Sequence, residues 1–212
     1  MKITWLGHDG FKIEEGGQTL VIDPFKLSHD SKADYVLISH EHYDHCHDED
    51  LKRVVRSDTV LVAIPACKEE ISKVNPKEIK FVKPGDRVKL GNFEIQAVPA
   101  YNVNKFSSPG KPFHPKADQK VGYIVKTKGG TTIYHTGDSD LIPEMEDLKP
   151  DIALLPVSGT YVMTADEAIL AAGKIKPKLA IPMHYGAIVG SLADAEKFKR
   201  GVSCEVVILD KE

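Results

Sequence analysis

The sequence predicts an α/β fold in one domain, and three observations carry that reading. Short apolar runs rich in β-branched residues recur along the chain, the pattern of buried strands. Segments with helical periodicity and caps lie between several of them, so sheets covered by helices are expected. The chain has 212 residues, 42% of them hydrophobic. At that length one domain buries roughly 70% of the surface its unfolded chain exposes, with no metal or disulfide needed to hold it. Residues 1–212 are therefore read as a single domain.

In chain order, strands are expected over Lys2–Leu6, Thr19–Ile22, Tyr35–Ile38, Thr59–Ala63, Phe93–Val98, Gly122–Val125, Thr131–Tyr134, Ile152–Leu155, Leu179–Ile181 and Val206–Leu209. Helices are expected over Asp48–Val55, Pro65–Val74, Thr164–Ile175 and Ser191–Arg200. The third is the clearest. Thr164 with Glu167 three residues on makes a capping box, Ala168, Ile169, Ala172 and Ile175 form an apolar stripe, and Lys176-Pro177 ends it. Ser191 with Asp194 repeats the cap. The irregular stretch Tyr101–Lys120 is rich in Asn, Ser, Pro, Gly and Lys, and a loop of that length in a small domain is expected to be a functional lid. No repeat and no low-complexity tract interrupts the chain.

Charge and cysteine usage narrow the function classes. The formal net charge is −3, which supplies no basic field for a nucleic acid backbone. Cys46, Cys67 and Cys204 are odd in number and lack CxxC spacing, which fits a reducing cytoplasm and excludes a zinc ribbon. The start, Met1 to His8, reaches Gly7 and His8 before any long apolar stretch, so no signal peptide is expected. No run approaches the roughly 20 apolar residues of a membrane span. A cytoplasmic protein acting on a small molecule, with neither nucleic acid nor membrane as partner, is expected; a homo-oligomer is left open.

The nine histidines are the unusual feature. His40-Glu41-His42-Tyr43-Asp44-His45 follows the expected strand at Tyr35–Ile38 directly. At this chain's own frequencies, such an HxHxDH set arises by chance with odds on the order of one in a thousand. Alternate residues of an extended turn point the same way, so His40 and His42 can grip one cation while Asp44 and His45 reach a second position. Two further strands end similarly, one running into His135-Thr136-Gly137-Asp138 and the other into Met183-His184-Tyr185-Gly186. Ligands gather at the carboxyl ends of α/β strands, so these three termini should converge.

The set SHEHYDH, HTGDSD and PMHYG, in this order, resembles the metallo-β-lactamase superfamily, whose fold is a four-layer αββα sandwich with a dinuclear metal centre. Trp5-Leu6-Gly7-His8, Val21-Ile22-Asp23-Pro24 and Leu155-Pro156-Val157-Ser158-Gly159-Thr160-Tyr161 are similar to its small metal-dependent hydrolases related to L-ascorbate-6-phosphate lactonase. The resemblance implies that His40 and His42 hold one metal, that Asp44, His45 and His184 hold a second, and that Asp138 bridges them. The family's remaining histidine has no counterpart in Val98-Pro99-Ala100-Tyr101-Asn102. His114, in the long loop, is the one histidine nearby and becomes the candidate, with Asn102 or water as the alternative occupant.

Two such cations would activate a water for hydrolysis of a lactone, ester or phosphodiester. His and Asp donors without cysteine suit Zn²⁺, and Mn²⁺ or Fe²⁺ would also be accepted. Where the family's oxygen-reducing di-iron members carry a glutamate, this chain has His42, which favours hydrolysis. The resemblance makes Asp44 both ligand and general base. Asp23, His8 and His135 are candidates to orient the ligands, and Tyr161 and Tyr185 are weaker candidates to meet oxyanion charge. His29 and His47 receive no role, and Cys46 is read as a small buried residue. Lys105, Ser107, Ser108, Lys111, Lys116 and Lys120 could receive a substrate phosphate or carboxylate. A noncatalytic metal-binding or regulatory protein of the same fold is the alternative.

Overall fold

The chain lays down two sheets in succession, each starting antiparallel and ending parallel, so the parallel strands of both finish on one edge. The computed structural model describes all residues, 1–212. In the first sheet β1 (Lys2–Gly7), β2 (Gly10–Glu15) and β3 (Gln18–Ile22) form an antiparallel meander. Then β4 (Tyr35–Ile38), β5 (Val60–Ala63) and β6 (Glu78–Phe81) add on parallel to β3. Parallel neighbours need crossovers. These carry α1 (Asp48–Val54) between β4 and β5, and a 3₁₀ turn (Pro65–Cys67) with α2 (Lys68–Ile71) between β5 and β6.

The second sheet begins with the antiparallel pair β7 (Arg87–Leu90) and β8 (Phe93–Pro99). A small hairpin, β9 (Phe106–Ser108) and β10 (Lys111–Pro112), stands apart within the long loop. Next, β11 (Val121–Thr127) pairs antiparallel with β8 and with β12 (Thr132–His135). Three parallel strands complete the sheet: β13 (Ile152–Pro156), β14 (Leu179–Met183) and β15 (Glu205–Val206). The crossovers here are α3 (Ala165–Ile175) and α4 (Leu192–Gly201).

The inner faces of the sheets share one core. Tyr123 of β11 donates its hydroxyl to the Ile38 carbonyl of β4 at 2.7 Å, and Tyr35 of β4 packs edge-on against Phe93 of β8. One cluster of 54 buried residues runs through both sheets, with Leu51, Val54 and Ile71 joining from α1 and α2 and Ala168, Ala172 and Phe198 from α3 and α4. This is the four-layer αββα arrangement. No helix is long and apolar enough to cross a membrane.

The caps form as their residues dictate. Thr164 accepts from the Glu167 amide while Glu167 accepts from the Thr164 amide, and Asp194 accepts from the Ser191 amide. Elsewhere the structure departs from expectation. Strand β2 was not anticipated, although Phe11 and Ile13 alternate with Lys12 and Glu14 in the period-2 pattern of a strand with one buried face. The polar edge strands β6 and β7 give little apolar signal. The helix expected over Pro65–Val74 is a 3₁₀ turn followed by one α-helical turn. The last expected strand stops at Val206. Beyond it Ile208 and Leu209 pack on the core, and the tail returns to β1, where the Glu212 amide donates to the Trp5 carbonyl at 3.0 Å.

Candidate metal centre

Backbone geometry at the strand ends turns the candidate residues toward one point. Just after β4, the Ser39 amide donates to Asp23 at 2.8 Å. The chain then coils through His40 to His45, whose amide donates back to the His42 carbonyl at 2.9 Å. His184 follows β14 with φ of +57°, and His8, in the turn between β1 and β2, has φ of +52°. These are left-handed conformations that non-glycine residues seldom adopt. The His184 amide donates to the His8 carbonyl at 3.0 Å, locking the two turns together.

All seven expected ligands, His40, His42, Asp44, His45, His114, Asp138 and His184, lie in this one cluster. Their donor atoms sort into two groups, each within 4.8 Å: His40, His42, His114 and Asp138 on one side, His8, Asp44, His45 and His184 on the other. Asp138 also groups with His45 and His184. Its Oδ2 lies 3.3 Å from His114 Nε2 and 3.9 Å from His40 Nε2, whereas its Oδ1 lies 3.2 Å from His45 Nε2 and 3.4 Å from His184 Nε2. One carboxylate therefore addresses both groups with different oxygens.

Four of the imidazoles are held by their other nitrogen. His40 Nδ1 meets Ser39 Oγ at 2.9 Å, His45 Nδ1 meets Asp23 at 2.9 Å, His114 Nδ1 meets Asn102 Oδ1 at 2.9 Å, and His184 Nδ1 meets Ser158 Oγ at 2.9 Å. These partners aim the four Nε2 atoms inward. The inward atoms His40 Nε2, His45 Nε2, His184 Nε2 and Asp138 Oδ1 are buried without a hydrogen-bond partner. Orphaned buried donors and acceptors are rare in folded proteins, and convergent imidazole and carboxylate atoms are the donor set for divalent transition metals. The residues fit such ions.

His114 settles into the place left open after β8. It is 1% exposed, and its amide and ring both bond to Asn102 Oδ1 while the Asn102 amide donates to the His114 carbonyl at 2.8 Å. The Asn102 side chain is thus an orienting group, and the loop histidine stands beside His40, His42 and Asp138. His8 Nε2 lies 3.1 Å from Asp44 Oδ2, and the rings of His8 and His184 lie 4.1 Å apart, tilted by 40°. His135 is structural: its Nδ1 accepts from the Gly137 amide, so Nε2 donates to the Asp9 carbonyl at 2.8 Å. Sequence reasoning missed Asp9, Ser39, Asn102 as an orienting group, and Ser158. Ser39 lies in SHEHYDH, Ser158 lies in Leu155–Tyr161 and Asp9 directly follows Trp5–His8, so all three sat in or beside stretches already singled out, while Asn102 did not stand out as a support.

Electrostatics follow from burial and the concentration of carboxylates. Burial drives the His40 imidazole well below its ordinary pKa and pulls His8 down to about 4 and His114 to about 4. Burial opposes charge on His45 and His184 too, but Asp138 with Asp23 or Asp9 outweighs it, holding His45 well above its ordinary range and His184 at about 9. Asp44 is held at about 2, because the His8 hydrogen bond and the His45 charge overcome its desolvation. A centre that pulls protons onto buried imidazoles also attracts cations.

A cleft of about 280 Å³ opens above the cluster, lined by His42, Tyr43, Asp44, Phe113, His114, Asp138, Tyr161 and Ile188. Tyr185 is not part of it. It stacks on Trp5 at 4.9 Å, which is packing. The loop lysines are otherwise engaged: Lys105 pairs with Glu167 and Asp140, Lys116 with Glu144, and the buried Lys120 with Glu41. The expectation that these three receive a substrate anion is corrected, since their charge is spent holding the loop. Cys46 is buried as expected, and His29 and His47 pair with Glu212 and Asp50 away from the cleft.

A buried set of imidazoles and carboxylates at the shared carboxyl edge of an αββα sandwich defines a class of metal-binding α/β proteins. Residues 2–184 match the beta-lactamase superfamily domain, and the chain belongs to the metallo-β-lactamase superfamily. It is 34% identical to a UPF0173 metal-dependent hydrolase from Methanopyrus kandleri, covering 99% of this chain and 97% of that protein. A second UPF0173 metal-dependent hydrolase, from Archaeoglobus fulgidus, is 32% identical over 99% of this chain and 96% of its own length. Among solved structures, a metal-dependent hydrolase from Parabacteroides distasonis superposes with a TM-score of 0.80 at 31% identity, covering 99% of this chain and 93% of that one. The metallo hydrolase Igni18 from Ignicoccus hospitalis gives 0.77 at 26% identity over 99% and 94%.

Proposed function

We propose that the protein is a dinuclear metal-dependent hydrolase acting on a small-molecule lactone, ester or phosphodiester. The observation that carries the reading is Asp138, whose two oxygens face two different sets of histidines. In this reading His40, His42 and His114 would hold the first cation, Asp44, His45 and His184 the second, and Asp138 would serve both. Divalent cations held there would supply Lewis acidity and make hydroxide available at neutral pH. The three imidazoles of the first position suit Zn²⁺, and Mn²⁺ or Fe²⁺ fits the same donors.

The chain's own residues do the remaining work. Asp44, at the cleft and steadied by His8, accepts the proton of the attacking water and returns it to the leaving group. Tyr43, Phe113, Tyr161 and Ile188 pack the body of the substrate and keep bulk water from it. No lysine or arginine lines the cleft, which supports an acyl substrate, a lactone or ester, over a phosphodiester. Tyr43 and Tyr161 bring phenol hydroxyls to the cleft wall. The reading places the protein in the cytoplasm, with neither nucleic acid nor membrane as partner.

The test is a panel of lactones, esters, thioesters and phosphodiesters offered to metal-reconstituted protein, with Asp44→Asn as control. Turnover of an acyl compound that the variant loses supports the reading. A protein that binds metal and turns over nothing on the panel refutes it in favour of a noncatalytic metal binder.

A further inference from the structure

Asp9 is a buried carboxylate whose side-chain oxygens have no hydrogen bond. It follows His8 in the turn between β1 and β2 and is 0% exposed. Its Oδ2 lies 3.7 Å from His45 Nδ1, and it places an oxygen within 4.8 Å of donor atoms of His45, Asp138 and His184. No lysine or arginine forms an ion pair with it. The backbone cannot swing the side chain away cheaply, because His135 holds the Asp9 carbonyl and His184 holds that of His8. Two carboxylates this close in a dry interior need positive charge between them, and the groups that face both are the imidazoles of His45 and His184.

We propose that Asp9 is a further ligand of the second cation, reaching it from the buried side while Asp44 approaches from the cleft. The proposal rests on the dinuclear reading. It gives the second position three carboxylates, Asp9, Asp44 and Asp138, with two imidazoles, His45 and His184. That set exceeds tetrahedral coordination and is richer in hard oxygen donors than the first position, with its three imidazoles and one carboxylate. Such a set favours Mn²⁺ or Fe²⁺ over Zn²⁺ relative to the first position. The two positions are therefore chemically unequal, and the inequality originates in the β1–β2 turn rather than in the HxHxDH motif.

The test is direct metal titration of the full chain after chelation. Mn²⁺ is followed by the loss of the free-ion electron paramagnetic resonance signal, Zn²⁺ by competition with a chromogenic chelator. Wild type is compared with Asp9→Asn and Asp9→Ser, the second serving if the amide does not fold, and circular dichroism checks each. The expected result is two equivalents in wild type and, in the variants, one retained and one weakened by roughly 10–100-fold, more for Mn²⁺ than for Zn²⁺. Two equivalents with wild-type affinities in a folded variant overturn the role of Asp9 and leave the dinuclear reading standing. Fewer than two equivalents in wild type overturn the dinuclear reading, and the assignment of Asp9 with it.

Discussion

At the scale of the residue, the second nitrogen of each histidine decides whether the first can bind a cation. Asn102 holds His114 through both its ring and its amide. Asn102→Ala should weaken the first cation by roughly 10–100-fold in a metal titration, and unchanged affinity would show that the loop positions His114 without it. Asp44 has a different task. If it moves the proton of the reacting water, Asp44→Asn should lower kcat by about 10²–10⁴-fold, and retained turnover would remove it from the mechanism. The candidate ligands were legible in the sequence because HxHxDH compresses four donors into six residues. Of their supports, Asp23 and His8 were singled out, whereas Asn102 as an orienting group and Ser158 were not. Asn102 reaches His114 across 12 positions and Ser158 reaches His184 across 26, and no local pattern announces such pairs. His114 was found only as the one histidine available nearby, since its burial is created by the fold.

At the scale of the element, the long loop is a clasp. Lys105 bonds both oxygens of Glu167 in the capping box of α3, at 3.0 and 2.7 Å, and so ties the long loop to that helix. Burial alone would raise the Glu167 carboxyl, but Lys105, the Thr164 amide and Asn104 outweigh it and hold it at about 2. Its folded pKa lies below the unfolded value, so its stabilisation is present above about 4.3 and is lost as pH falls toward 2. Glu167→Gln should therefore destabilise the protein at neutral pH and flatten the loss of stability between about pH 4.5 and 2, as read from denaturant midpoints across that range. A parallel decline in variant and wild type would contradict it. Strand β11 poses a separate steric limit. A Cβ on Gly122 would meet the Thr136 carbonyl oxygen at 2.5 Å, so Gly122→Ala should cost about 1–3 kcal/mol in chemical denaturation. A variant as stable as wild type would show that the backbone there yields. The elements with strong local signals, β4, α3 and β14, were legible within a residue or two, whereas β6 and β7 pair through backbone at polar edges that sequence patterning does not mark.

At the scale of the whole molecule, cations bound at this edge should stabilise the fold. A formal charge of −3 describes the chain without ions, and four buried or nearly buried aspartates, Asp9, Asp23, Asp44 and Asp138, gather at one edge between the sheets. Two dications would neutralise that edge. A ligand held by the folded state alone, at a free concentration about 1,000 times its Kd, adds about 4.1 kcal/mol. For a chain of this size that corresponds to a rise in Tm of roughly 8–16 °C. Chelation should lower Tm by a comparable amount, and a melting curve indifferent to chelator would mean that the centre contributes nothing to the fold. Sheets covered by helices were legible from the alternation of strands and helices and the αββα order from the family resemblance, but the meeting of both sheets' parallel edges at one point is a property of topology. The most direct measurement is the number of divalent ions bound per chain, by elemental analysis of protein reconstituted with excess metal and then dialysed. Two ions per chain is the expected result, and a single ion that no excess can raise would contradict a centre bridged by Asp138.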